Sequence, residues 1–86
     1  MPPRRKTKPR SKEHAALGEA VRQLRVESRL SQEELAELAG TDLTQIGGIE
    51  RGVRNPSYST LVRLAIALKT KVGTIVTRAD AINERS

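Results

Sequence analysis

Apolar residues recur at the three-to-four residue spacing of amphipathic helices in five stretches of the chain. A long first stretch, about 13–28, is followed by two short stretches between 31 and 52, a fourth after Pro56, and a last one near 72–81. No stretch alternates convincingly with a period of two, so the pattern predicts an all-α domain, a compact five-helix bundle. The inward positions of the first four helices are Leu17, Val21, Leu24, Leu35, Ala36, Leu38, Ala39, Ile46, Ile49, Leu61, Leu64, Ala65 and Leu68.

The two short central helices carry clear start and stop signals. Ser31 and Glu34 have the spacing of a capping box, in which each side chain bonds a free backbone N–H of the helix start. Gly40 permits the left-handed conformation that closes a helix, and Asp42 with Gln45 repeats the capping pattern. Two helices joined by so tight a turn form a helix-turn-helix, whose second helix typically enters the DNA major groove.

The charge of the chain is unevenly distributed. The net charge is +6 over 86 residues, yet residues 13–86 hold ten basic and ten acidic side chains. The excess therefore belongs to the first twelve residues, which have no acidic side chain. The six basic residues of this segment are Arg4, Arg5, Lys6, Lys8, Arg10 and Lys12.

Charge and helical pattern together predict three regions in the chain. These are a disordered arm at 1–12, a folded domain at 13–80 and a flexible tail at 81–86. The arm has too few apolar side chains to offset its chain entropy. Such an arm suits DNA phosphates or a minor groove. The alternative is a solubilising segment, partly a remnant of expression.

Composition also excludes several classes of protein. The chain has no cysteine, which excludes disulfides and thiolate chemistry, and its one histidine, His14, borders the basic segment. We therefore expect no enzyme, no cofactor and no metal site. No apolar run approaches the ~20 residues of a membrane span, and so small a core leaves little room for a small-molecule pocket. We expect a cytoplasmic, nucleoid-associated protein.

The pattern SQEELAELAG, continued by IGGIERGVRNPS and TLVRLAIAL, closely resembles the Xre family, the Cro and phage-repressor type of helix-turn-helix regulators. The IGGIERGVRNPS part is also similar to controller proteins of restriction–modification operons. The resemblance spans about 17–76 and implies a lambda-repressor-like fold. The positions at the family's spacing are Gln32, Ala36, Gly40, Ile46, Ile49, Glu50 and Gly52.

The resemblance implies that the recognition helix, about 42–50, reads base edges with its N-terminal half. It has no Lys or Arg between Asp42 and Ile49, so the common arginine–guanine contact is not available from it. The alternative is that Gln45 only completes its capping box and that the glycines only relieve packing. The implied base-contacting residues are Leu43, Thr44, Gln45, Gly47 and Gly48.

The resemblance also implies phosphate contacts from the start of the second helix and from the loop after the third. For the arginines, the alternative is a solvated surface. Arg25 and Glu50 match a structural ion pair of some relatives. The implied phosphate contacts are Ser31, Gln32, Arg51, Arg54, Asn55 and Ser57.

We therefore expect a transcriptional regulator that binds a palindromic double-stranded DNA operator as a homodimer. The alternative is an antitoxin or bridging module whose helix-turn-helix serves protein assembly. Val62 and Ile66 lie off the apolar stripe of the fourth helix, so one of them is exposed or in an interface. The last helix either supplies the dimer interface or closes the monomer core, through Val72, Ile75, Val76 and Ala79.

Overall fold

The computed structural model describes residues 8–85, which form five helices and no strand. The predicted all-α five-helix fold is confirmed. None of the described helices is both long and apolar enough to cross a bilayer. The helices are α1 (Lys12–Glu27), α2 (Gln32–Ala39), α3 (Leu43–Glu50), α4 (Tyr58–Ala67) and α5 (Val72–Arg85).

The first four helices each begin at a side-chain cap. Ser11 caps α1, where its Oγ accepts a bond of 3.0 Å from the His14 N–H. Both bonds of the predicted capping box are present in α2, between Ser31 and Glu34. Ser57 caps α4, where its Oγ accepts a bond of 3.1 Å from the Thr60 N–H. Because these caps satisfy backbone donors locally, they fix the helix starts without tertiary contacts.

The same four helices end in one type of turn. One residue takes a left-handed conformation, directly after α2 and two positions after the end of each of the other three helices. The N–H of the following residue then donates to a carbonyl in the last helical turn. Gly40 and Gly52 fill this position after α2 and α3, with φ of 70° and 78°. Arg29 and Lys69 fill it after α1 and α4, with φ of 61° and 57°. Two of the four turns are therefore closed by residues with a steric penalty.

The core draws one fully buried large side chain from each helix. Helix α5 packs mainly along α1, and α2 packs against both α3 and α4. Helix α3 is held between α1 and α2, so its position depends on both neighbours. The five large, fully buried side chains are Val21, Leu35, Ile46, Leu64 and Ile75.

A side-chain pair joins α1 to α5. Arg78 donates two bonds to Glu27, of 2.6 and 3.1 Å, and one of 3.1 Å to the Gln23 Oε1. These bonds from Arg78 hold the pKa of Glu27 below its usual value. Nothing local in the sequence predicts this pair, because its members lie about fifty residues apart.

Three expectations about the ends of the domain are corrected. Lys12 is the first residue of α1, since Ser11 caps the helix just before it. Residues 81–85 are helical, because α5 continues to Arg85. Ile75 and Ala79 face the core at 0% and 8% exposure, so they cannot form a dimer interface in the closed domain. Val72 packs partly against the same core, and of the four expected interface residues only Val76 is exposed.

Candidate nucleic-acid interface

Helices α2 and α3 form the predicted helix-turn-helix. Gly40 ends α2, and the Asp42 carboxylate accepts a bond of 2.9 Å from the Gln45 N–H at the start of α3. Ala36, at 4% exposure, is a small buried residue of α2 and one of the positions at the family's spacing. The turn and the crossing together fix the angle at which α3 is presented.

The N-terminal half of α3 presents polar and apolar side chains to solvent. Leu43 and Thr44 are exposed, and Gln45 is half-buried. The Asp42 side chain satisfies the Gln45 N–H, but among the described residues the Gln45 side chain returns no bond to Asp42. The predicted reciprocal cap is therefore incomplete. The amide of Gln45 keeps its donors and its acceptor for another partner.

The two glycines of α3 are covered rather than open, which corrects the expectation that they face bases directly. Thr44, Gly48 and Arg51 share the face of α3 that lies opposite its core residues. A Cβ on Gly48 would lie 2.5 Å from Cγ of Arg54, and one on Gly47 would lie 3.0 Å from a terminal nitrogen of Arg51. Both glycines are buried because these two arginine side chains lie over them.

The predicted phosphate-contacting residues lie at the starts of two helices and in the loop between α3 and α4. Ser31 and Ser57 are exposed N-caps of α2 and α4, and each Oγ already accepts a backbone N–H. The Ser31 hydroxyl keeps its own proton for a further acceptor. The Ser57 Oγ also lies 3.0 Å from the hydroxyl oxygens of Ser59 and Thr60. Arg51, Arg54 and Asn55 are exposed. Free N–H groups at helix starts bind anions readily, so both ends suit phosphate.

The predicted ion pair of Arg25 and Glu50 is present in the structure. The guanidinium donates to both carboxylate oxygens, at 2.7 and 3.1 Å, and to the Leu30 carbonyl at 2.9 Å. The Gln32 amide donates to the same carboxylate at 2.9 Å. The Gln32 side chain is therefore engaged within the protein, and its suitability for phosphate rests on its position at the start of α2.

Sequence reasoning missed two features of this surface. Arg63 of α4 donates a bond of 3.1 Å to the Ala39 carbonyl, at the end of α2 next to the helix-turn-helix turn. Tyr58, the one aromatic residue of the chain, is 73% exposed beside Ser57. The sequence could have drawn attention to Tyr58, because it is the one aromatic residue of the chain. The bond of Arg63 depends on tertiary packing and has no local sequence signal.

The basic arm is described only in part. Arg4, Arg5 and Lys6 lie outside the described residues, whereas Lys8 and Arg10 are exposed. The Arg10 N–H donates a bond of 2.8 Å to the Gly52 carbonyl, just past the end of α3. The described end of the arm therefore lies beside the recognition helix.

Comparison with known proteins agrees with this geometry. The helix-turn-helix family model HTH_3 matches residues 21–75. The chain belongs to this helix-turn-helix family. The match includes both central helices and the core residues that hold them, so the resemblance seen in the sequence is confirmed.

Two curated proteins and one solved structure are similar to most of this chain. Control protein C.SmaI of Serratia marcescens is 48% identical over 69 residues, which are 80% of this chain and 82% of that protein. The immunity repressor of Bacillus phage phi105 is 38% identical over 68 residues, 79% of this chain but only 47% of the repressor. The crystal structure of the restriction–modification controller protein C.AhdI from Aeromonas hydrophila superposes with a TM-score of 0.75 at 38% identity, covering 76% of this chain and 98% of C.AhdI.

Proposed function

We propose that this helix-turn-helix protein is a sequence-specific transcriptional regulator that inserts α3 into the major groove of double-stranded DNA. The observation that carries the proposal is that the N-terminal half of α3 faces solvent. The cap at Asp42 bonds only the backbone N–H of Gln45, so the Gln45 side chain remains available to another partner. The similarity to two controller proteins and a phage immunity repressor supports it. We propose no catalytic role.

Three side chains read bases in this proposal. The unbonded amide of Gln45 suits a two-bond contact with adenine, the Thr44 hydroxyl suits several bases, and Leu43 suits the methyl group of thymine. Each two-bond contact contributes about 1–3 kcal/mol of discrimination. Loss of Gln45 should therefore relax specificity at one position of the site.

The remaining polar residues position the protein on the backbone. The N-caps Ser31 and Ser57 lie at the starts of α2 and α4, and Arg51 lies at the end of α3. Contacts of this kind fix the register on the duplex and carry no sequence information themselves. Their removal should weaken binding to all sequences to a similar extent.

The protein acts as a homodimer in this proposal. Two copies on a palindromic operator place their recognition helices about 34 Å apart, one turn of DNA. Ile66 on α4 is 69% exposed and Val76 on α5 is 41% exposed, and exposed apolar side chains of this kind suit a contact with a second copy. Sedimentation velocity at micromolar concentration, with and without DNA, tests this, and a monomer in both conditions contradicts it.

Selection of bound fragments from a random double-stranded library, at about 0.15 M salt, tests the function as a whole. We expect a palindromic motif whose half-sites lie one turn apart. Gln45→Ala should lose preference at one base pair per half-site, and Glu37→Ala, an exposed change in the middle of α2, should leave the motif unchanged. No enrichment over the input library would contradict the proposal and would favour a protein-binding module.

A further inference from the structure

The start of the folded chain is tied to the end of the recognition helix. Besides the Arg10 N–H bond to the Gly52 carbonyl, Gly52 itself packs closely on α1. A Cβ on Gly52 would lie 2.9 Å from the backbone nitrogen and Cα of Ala15. This contact leaves no room for a side chain, so the exit of α3 and the entry of α1 form one packed unit.

Arg54 is turned back along the same helix. The N–H groups of Val53 and Arg54 donate to the Gly48 carbonyl, at 2.9 and 3.2 Å, and reverse the chain after α3. The aliphatic stem of Arg54 then lies on the Cα of Gly48. Any larger residue at 48 would occupy this space, so the glycine determines where the arginine lies.

These two features place Arg10 and Arg54 around one open cleft of about 450 Å³, which Gln45, Val53 and Asn55 also line. Within the described residues, neither guanidinium is paired with a carboxylate. Glu13 does not line this cleft; it lines a separate, smaller one that shares Asn55. The larger cleft therefore combines two unpaired positive charges with the amide of Asn55, and it adjoins Gln45 in the N-terminal half of α3.

We propose that this cleft is a binding site for one DNA backbone phosphate, which Arg10 and Arg54 hold together. The inference rests on the proposed DNA-binding function and adds a site shared by the arm and the recognition helix. Guanidinium–phosphate hydrogen bonds are short and charge-assisted, and two arginines converge on one anion better than either does alone. The shared phosphate sets the register of the arm relative to α3.

A double-mutant cycle with Arg10→Ala and Arg54→Ala tests the site by fluorescence anisotropy on the selected operator duplex and on a scrambled duplex. Each single change should weaken binding to both duplexes and reduce the dependence of log K on log salt by about one ion. If the two arginines acted independently, the fold-increase in Kd of the double variant would equal the product of the two single fold-increases. We expect it to be smaller than that product by about threefold or more, because both changes remove the same contact. Arg29→Ala is the matched control, because Arg29 lies past the opposite end of α1, about 24 Å of helix away.

Gly48→Ala provides an independent check. The new methyl group displaces the stem of Arg54, so the variant should bind about as weakly as Arg54→Ala. In the Arg54→Ala background, Gly48→Ala should add little, because nothing is left to displace. Urea unfolding of each variant separates loss of fold from loss of binding.

Two results overturn the proposal. The first is an Arg10→Ala variant that matches Arg29→Ala in affinity and salt dependence. The second is a pair of effects, from Arg10→Ala and Arg54→Ala, that multiply without coupling. A coupled pair in a protein that does not distinguish the operator from the scrambled duplex would leave the phosphate site intact and refute sequence-specific regulation instead. The two failures are therefore distinguishable.

Discussion

At the scale of single residues, Glu50 has the most consequential environment. Its side chain is only 4% exposed, and it lies at the end of the recognition helix. Arg25 from α1 and Gln32 from α2 supply three bonds to its two oxygens. One carboxylate therefore joins three helices, and its charge is neutralised where a DNA-binding surface would otherwise repel phosphate.

Removal of Glu50 leaves a nearly buried guanidinium without its partner. We expect Glu50→Ala to lower the free energy of unfolding by about 3–5 kcal/mol, because an uncompensated buried charge is costly. The urea midpoint measures this. Joint replacement by Arg25→Met and Glu50→Leu should cost less than Glu50→Ala alone, and a Glu50→Ala variant within about 1 kcal/mol of the parent would contradict the buried-pair interpretation.

Lys69 has a strained backbone that a glycine would relieve. Its φ of 57° carries a steric cost of about 1–2 kcal/mol for an L-residue. The greater chain entropy of unfolded glycine offsets part of the gain, so Lys69→Gly should stabilise by about 0.5–1 kcal/mol.

Gly40→Ala is the mirror control for this prediction, because Gly40 has a φ of 70° and an added Cβ would meet no atom within 4 Å. It should destabilise through conformation alone. Thermal unfolding of both variants provides the measurement, and equal signs for the two changes would exclude backbone strain as the cause.

At the scale of the helices, α1 and α3 cross at backbone contact through Gly18. A Cβ there would overlap the Ile49 carbonyl oxygen and lie 2.5 Å from that of Glu50. Neither carbonyl can move without displacing the recognition helix. The position of α3 against α1 therefore depends on the absence of a side chain at residue 18.

Gly18→Ala should therefore destabilise the protein, although alanine usually stabilises a helix relative to glycine. Alanine is favoured over glycine within a helix by about 1 kcal/mol, yet overpacking against backbone should destabilise by about 1–3 kcal/mol. Gly73→Ala in α5 is the matched control, because no atom lies within 4 Å of its Cβ position, and it should be neutral or stabilising. Urea unfolding of the pair decides, and a stabilised Gly18→Ala would refute close α1–α3 contact.

Local signals predicted most of the helices. The caps at Ser31, Asp42 and Ser57 depend on residues three positions apart, so they can be read without knowing the fold. The end of α5 could not be predicted, because no glycine or proline follows residue 81 to mark a stop. The inward face of α5 was also ambiguous, since apolar residues that close a core and those that form an interface have the same spacing.

The candidate site was predicted less completely. The resemblance identified the relevant segments, but the cover of Arg54 over Gly48 depends on how the loop after α3 folds back. The bond from Arg63 to the Ala39 carbonyl joins elements far apart in sequence. Long, flexible side chains find such partners only after the backbone is in place, so sequence spacing does not reveal them.

At the scale of the whole molecule, we expect the solvent-exposed pair of Glu27 and Arg78 to add a small dependence of stability on pH. The bonds from Arg78 lower the pKa of Glu27 in the folded state, so the unfolded chain binds the proton more readily. The pair's contribution is complete above the unfolded pKa of about 4.3 and is lost as pH falls through the lower folded value.

We therefore expect the urea midpoint of the parent protein to fall more between pH 5 and pH 3 than that of Glu27→Gln. The variant lacks the titrating group and should begin at a lower midpoint at pH 5. Glu37→Gln, which changes an exposed carboxylate of α2, should retain the acid sensitivity of the parent. Parallel curves for the parent and Glu27→Gln would show that the pair contributes nothing measurable.

The bond between the Arg10 N–H and the Gly52 carbonyl has a practical consequence for handling the protein. Any peptide joined ahead of Arg10 emerges beside the recognition helix, where a purification handle or a fluorescent reporter would compete with the nucleic acid for space. The affinity for DNA measured with a label ahead of Arg10 should therefore be lower than that of the untagged protein.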